Sequence, residues 1–182
     1  MKSVHAVILA ALLILSGFSA GCIGDDTPAP VAVSAPQPGV LIQEIGNVTG
    51  QGVFLEGVPR GTIDTITFII GLAPGEKSVD LNGTVIAYAD SVRTEILTPV
   101  EDYRGNPPPG YWGIIDTINE VGSRNMRLDY EEQFIIRINP KAPVVPNQMI
   151  TISVKPKGGK PLMIRRIAPS TVGENDNILA GV

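Results

Sequence analysis

The sequence predicts an all-β domain, an antiparallel β-sandwich of roughly nine strands, on three observations. From Val40 onward, short runs rich in β-branched residues recur with a two-residue period. No stretch holds a 3.6-residue period over three turns, as an amphipathic helix would. The 20 Gly and 16 Pro among 182 residues cluster between the runs, where they favour turns and disfavour helices.

In order, the predicted strands are 40–48, 53–58, 63–72, 84–89, 92–97, 111–118, 133–139, 149–155 and 162–167. Within 66–70 and 134–138 one face is wholly apolar, which marks core strands. Ile150, Ile152 and Val154 alternate with Thr151, Ser153 and Lys155, the pattern of a strand with one wet face. The joints carry strong turn chemistry: Ala73-Pro74-Gly75-Glu76, Asn82-Gly83, the proline-rich 105–110, and Lys157-Gly158-Gly159-Lys160. The domain, residues 40–182, is long enough to bury a core without disulfides.

Ahead of it lie two segments of other character. Lys2 and the apolar run 6–15 read as the basic and hydrophobic regions of an export signal. Ser19-Ala20-Gly21-Cys22 resembles a lipobox, with Ser19 where an aliphatic residue is usual, so residues 1–22 are expected to be a signal that ends in lipidation and cleavage at Cys22. Two lipid chains on Cys22 would anchor the chain stably where one would not. The alternative is an uncut apolar helix over 4–23, just long enough to span a bilayer. Either version gives the membrane as a partner and puts the remainder outside the cell. Residues 23–39 read as a linker: 27–38 holds four prolines and no charge. At about 3.1 Å per residue it would extend roughly 35–40 Å.

Charge and composition exclude several functions. With 14 Lys+Arg against 18 Asp+Glu the net charge is −4, which gives no basic footprint for nucleic acid. The one His and one Cys, His5 and Cys22, both precede the domain, so it lacks the usual zinc ligands, thiol nucleophile and neutral-pH acid–base group. The sequence thus predicts a non-enzyme with no cofactor, metal or small-molecule substrate. Gly17-Phe18-Ser19-Ala20-Gly21 spells a nucleophile elbow but has neither the strand–turn–helix context nor a downstream His.

The candidate sites are therefore surface features. Asn47-Val48-Thr49 and Asn82-Gly83-Thr84 are glycosylation sequons, the second also a turn. Lys155, Lys157, Lys160, Arg165 and Arg166 form a basic hairpin with no acid among them, suited to an acidic neighbour, glycan or headgroup. Gly158-Gly159-Lys160 lacks the spacing of a phosphate loop. Tyr111 and Trp112, closing the loop 103–112, could anchor a partner or tuck over the end of the sandwich. The acid pairs Asp25-Asp26, Glu101-Asp102 and Glu131-Glu132 read as solvated loop acids and match no EF-hand spacing.

A family resemblance accompanies these features. Gly46-Asn47-Val48 to Gly52, Gly61-Thr62-Ile63-Asp64-Thr65-Ile66 to Gly75, and Val79-Asp80-Leu81-Asn82-Gly83-Thr84 resemble the outer domain of archaellins, the subunits of the archaeal swimming filament. So do Gly110-Tyr111-Trp112-Gly113-Ile114, Asn119-Glu120-Val121-Gly122, Glu132-Gln133-Phe134, Val145-Pro146-Asn147, Val154-Lys155-Pro156 and Pro161-Leu162 to Pro169. The resemblance spans about 40–172. It implies an immunoglobulin-like β-sandwich, N-glycosylation, no catalytic site, and as partners other archaellin-like subunits or envelope and S-layer components. Archaellins begin instead with a basic leader ending in Lys-Gly or Arg-Gly and a long apolar helix. Here Cys22 and the proline linker occupy that place, and four prolines in twelve residues break the apolar stripe a helical filament core needs. The expected role is a filament subunit or a membrane-tethered accessory, contacting its neighbours through strand edges and loops. The alternative is a lipid-anchored module that binds the S-layer or glycans.

Overall fold

The structure, a computed structural model, describes residues 39–54, 56, 61–100 and 105–182. The export signal, Cys22 and the linker as far as residue 38 lie outside the described residues.

Eleven strands make up the described chain: β1 Ile42–Val53, β2 Thr62–Leu72, β3 Ser78–Asp80, β4 Val85–Asp90, β5 Thr94–Pro99, β6 Tyr111–Ile118, β7 Arg127–Asp129, β8 Gln133–Asn139, β9 Met149–Lys155, β10 Leu162–Ile167 and β11 Asp176–Gly181. No helix occurs among the described residues, in agreement with the predicted class. The sandwich itself is corrected. Nine strands close into a barrel in the order β1-β11-β10-β9-β4-β5-β6-β8-β2, while β3 and β7 form a separate two-stranded ribbon.

Closure comes from two strands that each serve both sides. The first half of β11 pairs with β1, Val48 opposite Leu179, and its end pairs with β10, Ile167 opposite Ala180. Similarly, β5 pairs with β4 through Leu97 opposite Ile86, then with β6 through Thr98 opposite Tyr111. The β5–β6 pairing is parallel, so the expectation of a wholly antiparallel fold is corrected too. Pro99 is tolerated at this seam because its neighbours do the donating: Thr98 N–H to the Gly110 carbonyl at 2.9 Å and Val100 N–H to that of Trp112 at 2.8 Å.

Alternation places the core. In β8 Phe134, Ile136 and Ile138 point inward, in β9 Ile150, Ile152 and Val154, and all six are essentially buried. Two bulges adjust this rhythm on the first hairpin. Residues 46–48 of β1 stand against the single Phe68 of β2, and Asp64 is skipped between Gln51 opposite Thr65 and Gly52 opposite Ile63. The skip lets Ile63 and Ile66, an odd and an even position, both enter the core. The predicted strand 53–58 is corrected by the same hairpin: β1 runs without a break to Val53. At the foot of β6, Pro108 to Tyr111 form a turn closed by the Tyr111 N–H to the Pro108 carbonyl at 3.0 Å. Pro109 and Gly110, the latter at φ 87°, occupy its two central positions, the sequence of a type II turn.

Polar groups fix the loops. The Asp90 side chain is fully covered and accepts from the Val92 N–H at 2.8 Å, the Arg93 N–H at 3.0 Å, the Arg93 Nε–H at 2.9 Å and the Tyr88 hydroxyl at 3.2 Å. Burial by itself raises the Asp90 pKa, but these donors together hold it below the usual carboxylate value. The Tyr88 hydroxyl is pushed far up, by burial first and then by the Asp90 charge. Glu132 is corrected from a solvated acid to a buried one, its carboxylate accepting from the Val121 N–H at 2.5 Å and the Asp129 N–H at 2.9 Å.

Two tests follow from this packing. A Cβ on Gly52 would lie 1.8 Å from the Gly173 carbonyl oxygen, a backbone atom that cannot step aside. Gly52→Ala should therefore cost about 1–3 kcal/mol in urea unfolding, and an unchanged midpoint would refute the close approach. The depressed Asp90 pKa stabilises the fold above the unfolded value, and that stability is lost as pH falls through the lower folded value. Asp90→Asn should lower stability at neutral pH and flatten its acid dependence below about pH 4, measured by thermal unfolding across a pH series.

Candidate functional site

The structure divides the predicted basic hairpin into parts with different roles. β9 and β10 are joined by the turn at Lys157 and Gly158. Lys155, Lys157 and Arg165 are exposed and make no ion pair among the described residues. Lys160 is exposed as well, donates its N–H to the Gly39 carbonyl at 3.0 Å, and lays its aliphatic stem against Gly39. Arg166 is corrected: its guanidinium is ion-paired with Glu44 of β1 and does not present a partner-binding charge. Its Nη1 also donates to the Arg165 carbonyl at 2.8 Å. Burial raises the Glu44 pKa above the usual carboxylate value, and the guanidinium offsets only part of that. The pair clasps β10 to β1 beside the seam strand β11.

The aromatic pair also splits. Tyr111 is exposed on the outer face, whereas Trp112 is only 2% exposed and is corrected from a partner anchor to a core residue. Residues alternate along β6, so the parity that buries Ile114 buries Trp112 with it. Trp112 also lines a cleft of ≈ 270 Å³ with Thr84, Asn82, Pro99, Arg124 and Met126. The Trp112 Nε1 and Thr84 Oγ1 atoms are covered and have no protein partner among the described residues. Arg124 donates to the Ile114 carbonyl at 2.6 Å, so its guanidinium caps the side of β6 that β5 leaves unpaired.

Both sequon asparagines are exposed. Asn47 sits on the β1 bulge, without a register partner in β2. Asn82 is engaged: its N–H and its Nδ2 both donate to Asp80 Oδ1, at 2.8 and 2.7 Å. Those two bonds, the backbone one foremost, hold the Asp80 pKa below the usual carboxylate value. No group of three or more His, Cys, Asp or Glu that could hold a metal occurs among the described residues.

One surface was missed in the sequence. Pairing sets Ile96, Ala87, Ser153 and Met163 side by side on the outer face of β5, β4, β9 and β10. Ile96 is 71% exposed, and Met163 and Val85 are each 44% exposed. The run Val85-Ile86-Ala87-Tyr88-Ala89 is apolar at every position, so nothing in it says which residues face water. The only available signal was the parity of the neighbouring β9.

No protein-family model matches the sequence, and no curated protein matches it. Solved structures do. The crystal structure of archaeal flagellin FlaB1 from Methanocaldococcus jannaschii superposes with TM-score 0.59 at 14% identity, over 76% of this chain and 95% of that one. The archaeal flagellum of Methanospirillum hungatei strain JF1 superposes with TM-score 0.52 at 15% identity, over 77% of this chain and 71% of that one. The barrel thus has the fold of an archaellin domain, as the sequence resemblance implied.

The chain contains a single Trp, so its fluorescence reports on Trp112 alone. Its emission should be blue-shifted and insensitive to iodide until the barrel unfolds. Iodide quenching of the native protein would instead restore the indole to the surface.

Proposed function

We propose that this domain is a non-enzymatic structural component of the archaellum at the archaeal cell surface, either a filament subunit or a membrane-tethered accessory. The observation that carries the reading is the superposition on nearly the whole of the FlaB1 chain. The sequence supports the non-enzymatic part, because its one His and one Cys both precede the domain. In this reading Cys22 is the lipidated first residue after cleavage, the proline-rich linker lifts the barrel from the membrane, and Asn47 and Asn82 carry glycans. The second reading, a lipid-anchored module that binds S-layer or glycans, is favoured by the unpaired charges of Lys155, Lys157 and Arg165.

Mass spectrometry of sheared filaments and of the membrane fraction tests the role. A subunit is recovered with the filaments. Recovery only with membranes removes the subunit version, and recovery of a barrel that neither fraction enriches removes the archaellum reading altogether. Intact-mass measurement of the recovered chain should show loss of residues 1–21, the mass of a two-chain lipid on Cys22, and sugars at Asn47 and Asn82. An unmodified mass beginning at Met1 would eliminate the lipid anchor and the glycans together and leave the uncut apolar helix as the tie to the membrane.

A further inference from the structure

We infer that the cleft beside Trp112 binds a small organic acid, its carboxylate on the polar groups there and its hydrocarbon part against the cleft wall. The inference goes beyond the structural role above and does not depend on it.

The cleft lies where β5 leaves β4 for β6. Pairing with β4 ends at Leu97 opposite Ile86, and pairing with β6 runs only from Thr98 opposite Tyr111 to Pro99 opposite Trp112. Beyond Trp112 no described strand flanks β6 on that side, and an opening of ≈ 270 Å³ is walled by Leu81, Pro99, Val100, Ile114 and Met126. A water takes about 30 Å³ of liquid. The cleft thus has room for more than a bridging water, on the scale of an acid with about seven non-hydrogen atoms.

Its unmet polar groups can donate. Trp112 Nε1–H can only donate and Thr84 Oγ1 is able to. Both residues are more than nine-tenths buried, and these atoms have no protein partner among the described residues. A buried donor left unmet destabilises, and an acceptor brought into the cleft relieves it. Arg124 adds charge. Its Nη2 donates to the Ile114 carbonyl at 2.6 Å, but the guanidinium makes no ion pair among the described residues.

Among the described residues no acid lines the cleft to neutralise that charge. Asp80, beside the wall residue Leu81, turns its Oδ1 to the Asn82 N–H and Nδ2. Asn125 is occupied as well: its Oδ1 accepts from the Arg127 N–H at 2.6 Å, and its Nδ2 donates to the Ser123 carbonyl at 3.0 Å. Unmet donors, one cation and an apolar wall together select a carboxylate on a short hydrocarbon body. The indole and hydroxyl lie under the cleft surface, so that body has to part the wall, and the unbranched Met126 side chain is the part able to give.

The single Trp makes the test direct, because it gives one indole N–H resonance. The full chain, made with isotope-labelled tryptophan in a host that adds no N-glycan and held in neutral detergent, is titrated with pentanoate, pentanamide and iodide. Pentanoate should move the signal and saturate, with a Kd on the order of 1 mM. Pentanamide, equal in shape but uncharged, should bind about tenfold or more weakly. Iodide has the charge without the body and should leave the signal in place. Arg124→Gln, which keeps a donor for the Ile114 carbonyl, should bring pentanoate down to the level of pentanamide. Thr84→Val removes a hydroxyl that no protein group meets, so it should weaken pentanoate binding without lowering thermal stability. A signal that no probe moves, or that pentanamide or iodide moves as pentanoate does, would overturn the inference. Glu101 and Asp102 follow the wall residue Val100, so the pair Glu101→Gln and Asp102→Asn is titrated too. If pentanoate moves the signal only in that variant, the donors belong to the chain's own acids and the free ligand is ruled out.

Discussion

Every other feature of the domain depends on how β5 and β11 divide their backbone hydrogen bonds. A sandwich of two separate sheets leaves rows of unpaired N–H and C=O groups at its margins, which must be blunted or covered. Here each seam strand pairs with one sheet along part of its length and with the other along the rest. The margins disappear, and the side chains between the sheets are sealed: Ile66, Phe68, Ile136, Ile138 and Ile152 are almost wholly removed from water. Where β6 outruns its short pairing with β5, the Arg124 guanidinium occupies the Ile114 carbonyl in place of a strand. Association through the paired margins is thereby closed, while the edges of the β3–β7 ribbon, the unpaired lengths of β6 and β10, outward-facing side chains and loops remain.

Much of this was readable from residue order. The strands at Tyr111–Ile118, Gln133–Asn139, Met149–Lys155 and Leu162–Ile167 have the bounds that residue order predicts, because turn residues bracket each of them. The ribbon strands Ser78–Asp80 and Arg127–Asp129 are too short to show any period. The strand Asp176–Gly181 escaped for another reason. Its inward Asn177 breaks the apolar alternation, and only the folded chain supplies what Nδ2 binds: the carbonyls of Gly50, Gly173 and Asn175, at 3.1, 3.0 and 2.7 Å. Since that strand closes the barrel, missing it turned a barrel into a sandwich.

The surface was less legible than the core, because its meaning lies in distant partners. Arg165 and Arg166 are identical neighbours, yet one faces water and the other is bound to Glu44, 122 residues away. No local pattern separates them. Glu131 and Glu132 differ in the same way: Glu132 is the acceptor for two loop N–H groups, and Glu131 is left to the solvent. Counting charges along the chain finds clusters. Only pairing shows which members remain to act on something else.

The skipped residue Asp64 bears on how the length of this chain can vary. It stands between Thr65, which keeps the register of the later part of β2, and Ile63, which belongs to a register one step removed. Removing that one residue would bring the two registers into phase and leave Ile63 two residues before Ile66, on the same inward face, so the bulge would be lost without turning the core side chain outward. The exposed turns at Gly75 and Gly158 separate strands without setting the phase inside either one. Relatives of this domain should therefore vary freely in length at such turns, whereas beside Ile63 the only length change that keeps the core in place is loss of the one-residue bulge as a whole.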